Sequence, residues 1–255
     1  YASGSGTSTL TFTYTVQAGD TSADLDFASA TALALNGGSI VDGAGNAATL
    51  TLATPGATGS LGANKAIVID TTAPTLGAAA LTAATDSGSS STDGITNAAN
   101  PAFSLTVGEA GLTLELLRGT TVVATATSTA GTNTLTHTGA AEGTGLSYTV
   151  RATDAAGNQT TSNAVTVTID RTAPTISDVA NQTIEEDAGT GALSVTVGDG
   201  VTAAGTVQLT RGSGNTTLVA DSAVVLGGSG SGRWHAARTR TAARTTARRI
   251  DRKSV

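Results

Sequence analysis

The chain has 255 residues and contains no cysteine and no methionine. Without cysteine there is no disulfide framework and no thiolate-ligated zinc. Three Phe, three Tyr and one Trp leave too little ring surface for a sugar-stacking platform. Charged residues make up only 13% of the chain. No apolar run reaches the roughly eighteen residues that a membrane-spanning helix needs. Of the two histidines, only His137 precedes Arg233, so transition-metal and Cys–His chemistry are excluded. No Ser occupies a G-x-S-x-G elbow, and the G-x-G pairs lack the third glycine of a dinucleotide loop. These absences predict a protein that is not an enzyme, with no catalytic residues and no organic cofactor site. An absence of cysteine fits a bacterial secreted protein. No signal-peptide pattern opens the chain at Tyr1, which is expected of a fragment.

What is abundant is Gly, Ala, Thr and Ser, with short apolar runs between them. The net charge of −6 hides a division. Residues 1–232 hold 18 acidic and 5 basic residues, and residues 233–255 hold 1 acidic and 8 basic. The two parts are read separately.

The phrase IDTTAPT (69–75) returns as IDRTAPT (169–175), placing Pro74 and Pro174 one hundred residues apart. Each copy is preceded by an Asp-x-Ala-Gly-Asn turn, VDGAGN at 41–46 and TDAAGN at 153–158. In that turn Asp and Asn hydrogen-bond the local backbone, and Gly supplies positive φ. In NAVTVTID, Val165, Val167 and Ile169 share one face, and Thr166 and Thr168 the other. The Pro that follows ends the pairing of the strand and holds the preceding Ala extended. The unit reads as hairpin, last strand and stiff linker.

Between these phrases the alternation continues. TLGAAALTA is a weak first strand, and ATDSGSSSTDGITNAANP is a long polar loop. AFSLTV puts Phe103, Leu105 and Val107 on one face. LTLELLRGTTVVATATS makes two strands around an Arg-Gly turn, and TNTLTHTG adds another. GLSYTVRAT points Leu146, Tyr148, Val150 and Ala152 inward. About seven short strands in roughly one hundred residues predict an antiparallel β-sandwich. The fold class is therefore all-β, with tandem sandwiches of which the first and third are incomplete. The divisions fall at 1–73, 74–172, 173–232 and a basic tail at 233–255.

The block GLSYTVRATDAAGNQTTSNAVTVTIDRTAPT resembles bacterial Ig-like repeats of the fibronectin-III-like kind, found in tandem in very large RTX-type surface adhesins and biofilm proteins. The stretch TYTVQAGD…AIVIDTTAPT (13–75) looks like the C-terminal half to two-thirds of another repeat type from such proteins. The segment ISDVANQTIEEDAG…NTTLVADSAVVLGGSGSGR is similar to the opening of a cadherin-like or Ig-like repeat. The resemblance implies non-catalytic spacer repeats that support adhesion or biofilm formation, outside the cell or on its surface. The implied partners are neighbouring repeats of the same chain, with surface glycans or host and matrix proteins engaged through other domains, and no nucleic acid. A second reading makes the repeats accessory modules of a secreted polysaccharide-degrading enzyme.

In an Ig-type topology, Asp154 and Asn158 lie near the incoming linker and Asp70, while Asp86 and Asp93 lie near Asp170 and the outgoing linker. Calcium takes about six to eight oxygen ligands in irregular geometry. The adhesin resemblance implies calcium at such junctions, with Asp70, Asp86, Asp93, Asp154, Asn158 and Asp170 as ligands. Turn chemistry alone also explains these residues. Glu185, Glu186 and Asp187 are a further acidic group, read as a solvated loop. His137 reads as an ordinary exposed strand residue, and Tyr148 as a core ring whose hydroxyl caps a strand connection. The sequons at Asn158, Asn181 and Asn215 are chance occurrences in a Thr-rich chain. The tail has two readings, an Arg-rich arm or sequence out of frame after Gly232. The abrupt switch, the lone Trp234 and the interrupted strand pattern favour the second.

Overall fold

A computed structural model describes residues 1–185, 188, 191–201, 207, 210, 212–214, 216–217, 221–227 and 233–238. Strands dominate and the fold class is all-β. Glu186 and Asp187, and residues 239–255 of the tail, lie outside the described residues.

The central unit contains β1 (Ala80–Leu81), β2 (Ile95–Thr96), β3 (Ala102–Val107), β4 (Thr113–Arg118) and β5 (Thr121–Thr127), followed by β6 (Gly131–Thr136), β7 (Gly143–Thr153), β8 (Gln159–Thr161) and β9 (Val165–Ile169). One sheet has the order β1-β3-β6. The other has the order β2-β9-β7-β4-β5, with β8 paired to β7. Within this unit every pairing is antiparallel except that of β2 with β9.

The alternating residues build the core as their period of two requires. Phe103, Leu105 and Val107 face inward from one sheet. Leu114, Leu116, Tyr148, Val150, Ala152, Val167 and Ile169 face them from the other. Burying each of the larger aliphatic side chains stabilises the fold by about 1.5–3 kcal/mol. Leu117, adjacent to Leu116, is buried as well. The register between β4 and β5 shifts there, so that Val123 is an extra residue on β5. Such a bulge bends an edge strand and increases its twist.

The first strand expected over 75–83 is reduced to β1 and one bridge, Leu76 with Val107. The run GAAA offers little to bury, and close contact takes the place of side-chain packing. The N–H of Gly77 donates to the carbonyl of Thr106 at 2.8 Å. A Cβ at Gly77 would collide with Oγ1 of Thr106.

Residues 1–72 hold one helical turn, α1 (Leu61–Asn64), and isolated bridges at Ser3–Thr11, Ser22–Ile69 and Val41–Ala47. Ser60 caps α1, its hydroxyl accepting the N–H of Ala63. The carboxylate of Asp26 gathers the N–H groups of Phe27, Gly56 and Leu61 at 2.9–3.1 Å. Phe12, Tyr14, Val41 and Val68 are all more than half exposed.

Beyond the second phrase, β10 (Thr175–Ile176) pairs with β11 (Ala192–Gly198), whose Val195 and Val197 are buried. β12 (Val224–Gly227) pairs with β13 (Arg233–Arg238), which also pairs with β11. β13 lies at the start of the stretch expected as the basic tail.

Candidate functional site at the poles of the central sandwich

The turn between β7 and β8 carries Asp154 and Asn158. Oδ1 of Asp154 accepts the N–H groups of Ala156 and Asn158, each at 2.9 Å. Its Oδ2 accepts Nδ2 of Asn158 at 2.9 Å. The Asn158 side chain, and then the turn amides, hold the Asp154 carboxyl below its ordinary pKa despite some desolvation. The earlier copy of the turn folds in the same way. Asp42 accepts the N–H groups of Ala44 and Asn46 and the side-chain amide of Asn46. The repeated turn is one structure written twice.

Nδ2 of Asn158 also donates to the backbone carbonyl of Asp70 at 3.0 Å. The incoming linker therefore touches the central sandwich at this turn. Asp70 spends one carboxylate oxygen on the N–H of Thr72 at 2.9 Å. The structure brings Asp70, Asp154 and Asn158 together through a carbonyl, while both carboxylate oxygens of Asp154 and one of Asp70 accept N–H donors.

The opposite pole is built by the polar loop before β3, which folds inward. Thr96 is 1% exposed, and Asp86 is 4% exposed. Oγ1 of Thr96 donates to the carbonyl of Thr85 and accepts the N–H of Ala98 at 2.9 Å. It also lies 2.9 Å from the hydroxyl of Ser87. Oδ2 of Asp86 accepts the N–H of Gly94 at 3.2 Å. Oδ1 of Asp86 is buried and has no hydrogen-bond partner. Gly94 has φ +72°, and a Cβ there would lie 3.0 Å from the carbonyl oxygen of Thr166, so this position favours glycine.

Asp93 is exposed and accepts the N–H of Ile95 at 3.0 Å. Asp170 donates its N–H to Thr96 and accepts that of Thr172 at 3.2 Å. Asp86, Asp93 and Asp170 thus lie on segments that meet through Gly94, Thr96 and β9. Among the described residues, no three His, Asp or Glu side chains converge into a metal-holding group.

Sequence reasoning missed a contact at this pole. Oε1 of Glu142 accepts the backbone N–H of Arg171 at 2.7 Å, and Oε2 accepts the hydroxyl of Thr172 at 3.0 Å. The guanidinium of Arg171 donates to the carbonyl of Ala140 at 2.9 Å. The available signal was the one residue that differs between the two phrases, Thr71 against Arg171. Thr71 makes its own local link, donating to the carbonyl of Asp20 and accepting the N–H of Gly19.

His137 is half-buried just after β6 rather than exposed within it. Its Nδ1 lies 2.9 Å from the hydroxyl of Tyr148, whose ring stacks at 4.5 Å on Phe103. The Tyr148 hydroxyl therefore reaches the β6–β7 connection through a side chain. Burial, and then the nearby charge of Arg118, lower the pKa of His137.

Two sheets enclosing one core, with linkers touching opposite poles, are consistent with an Ig-like β-sandwich. Residues 72–171 match the family model of the bacterial Ig-like domain. This match covers the central unit and supports an Ig-like repeat there. No curated protein matches the chain. No helix among the described residues is long and apolar enough to cross a membrane.

Proposed function

We propose that the chain is a set of non-catalytic spacer repeats from a large secreted, RTX-type bacterial adhesin. Such repeats hold a distal adhesive domain away from the cell surface or build biofilm matrix. The observation that carries this reading is the treatment of the two linkers. Asn158 binds the incoming linker at Asp70, and Glu142 binds the outgoing linker at Arg171 and Thr172. A module that fixes both neighbouring segments is suited to passing orientation along an array. The acidity of residues 1–232 keeps neighbouring arrays apart.

Calcium at the junctions belongs to the same proposal, with Asp86, Asp93 and Asp170 at the outgoing pole and Asp70, Asp154 and Asn158 at the incoming one. The support for it is Asp86. A buried carboxylate oxygen without a donor is costly, and a cation completed by carbonyls and water would satisfy it. Scattering and melting curves of the full chain, with calcium and with chelator, test this part. A site filled at one hundred times its dissociation constant adds about 2.7 kcal/mol, and Asp86→Asn should remove that gain. Identical curves with and without calcium would reject the cation. The spacer reading itself fails if the flanking coding sequence specifies a hydrolase rather than further repeats.

A further inference from the structure

The chain contains one Asn-Gly pair, Asn36-Gly37. The pair occupies the centre of a tight turn in which the carbonyl of Leu35 accepts the N–H of Gly38 at 2.8 Å. φ is +47° at Asn36 and +87° at Gly37, and positive φ at both central positions marks a type I′ turn. Among the described residues Asn36 is the only non-glycine with positive φ. Both residues are exposed. The Asn36 side chain has no hydrogen-bond partner, and the Gly37 N–H donates to none. The space around Gly37 is open, with nothing within 4 Å of where a Cβ would stand.

We propose that Asn36 is a self-modification site, converting without enzyme or cofactor to isoaspartate and aspartate through a cyclic imide. The Gly37 nitrogen bonds to Cγ of Asn36, the Cγ–Nδ2 bond breaks, and ammonia leaves carrying the proton lost from the Gly37 amide. Water then opens the imide at one of its two carbonyls. Opening at the former backbone carbonyl gives isoaspartate, which adds one methylene to the main chain. Either product places a negative charge on a turn that had none.

The rest of the molecule shows why this position stands apart. The three Asp-Gly pairs could form the same imide by losing water, but each carboxylate is held. Asp42 accepts from Ala44 and Asn46, Asp93 from Ile95, and Asp199 from Val201. The N–H of Gly94 is itself bound to Asp86. The side chains of Asn46, Asn133, Asn158 and Asn163 are all hydrogen-bonded. Asn64 and Asn181 are exposed and unbonded, but Lys65 and Gln182 follow them, and a side chain there crowds the attacking nitrogen. Those two residues are internal controls.

The full chain is held in mildly alkaline buffer at body temperature, then digested and read by mass spectrometry that distinguishes isoaspartate. The expected result is an amide-to-acid mass gain at Asn36, faster by an order of magnitude or more than at Asn64 or Asn181. Isoaspartate should be among the products, and Asn36→Gln should abolish the signal. Equal rates at the three positions would overturn the proposal. So would modification of Asn36 only in denaturant, or a product that is aspartate alone.

Discussion

Glu142 receives the main-chain N–H of Arg171 at 2.7 Å, while the Arg171 side chain reaches back to the carbonyl of Ala140. One residue of the outgoing linker is thus held twice by the connection before β7. The guanidinium lies 3.7 Å from the same carboxylate, and both side chains are 33% exposed. An ion pair this exposed contributes at most about 1 kcal/mol. Glu142→Ala should therefore leave the melting temperature almost unchanged while freeing residues 171–174, an effect that nuclear spin relaxation reads directly. Arg171→Thr, which copies the first phrase, should have a smaller effect because the main-chain N–H bond to Glu142 persists.

The core should respond to truncation much more than the edge. Leu114 is fully buried between the sheets, whereas Val122 lies on the edge strand and is 40% exposed. Leu114→Ala should cost about 2–5 kcal/mol in urea unfolding. Val122→Ala should stay within about 0.5 kcal/mol of wild type.

Backbone conformation sets a third expectation. Gly94→Ala forces a Cβ into a left-handed residue 3.0 Å from the carbonyl of Thr166. The left-handed conformation alone costs about 1–2 kcal/mol. The same denaturation assay should show at least that loss. Gly111, with φ +87° but open space around it, should lose only the conformational part.

Stability should depend on pH in two separate windows. His137 lies below its ordinary value of 6.5, so the unfolded chain binds the proton first. The neutral imidazole therefore stabilises the fold above about pH 6.5, and that contribution fades as pH falls through this value toward the folded pKa. His137→Gln should flatten this part of the melting-temperature profile. Asp154 is also lowered, from 3.8, but as an acid. Its contribution is present above that value and disappears as pH falls through the folded pKa. Asp154→Asn should be less stable than wild type at neutral pH and converge with it in strong acid.

Much of the central unit was legible because burial and period agree. Phe103, Leu105 and Val107, and later Val165, Val167 and Ile169, alternate in sequence and face inward in space. The Asp-x-Ala-Gly-Asn turns were legible because one carboxylate and one glycine fix them locally. β2 was not legible. It is two residues long, lies inside a Ser- and Asp-rich loop, and exists through its register with Thr168 and Ile169. Nor did the sequence signal that Asp86 and Thr96 are buried: Thr96 is met by the Thr85 carbonyl, the Ala98 N–H and the Ser87 hydroxyl, partners that only the folded loop supplies, whereas Asp86 is buried with one oxygen unpaired. Glu142 carried no pattern of its own, and its role depends on a residue 29 positions away.

The single parallel pairing of the central unit has a further consequence for how that unit would answer a pull on its two linkers. β2 lies near the start of the module and β9 ends it, and they run side by side in the same direction. A pull from the two linkers first meets the short β1 pairing. It then tries to slide β2 past β9 along their common axis. The bonds from Thr168 N–H to Gly94 and from Asp170 N–H to Thr96 are then loaded together in shear rather than unzipped in turn. The buried loop around Asp86 and Thr96 anchors one side of that seam, so its polar interior sits where the pulling force concentrates.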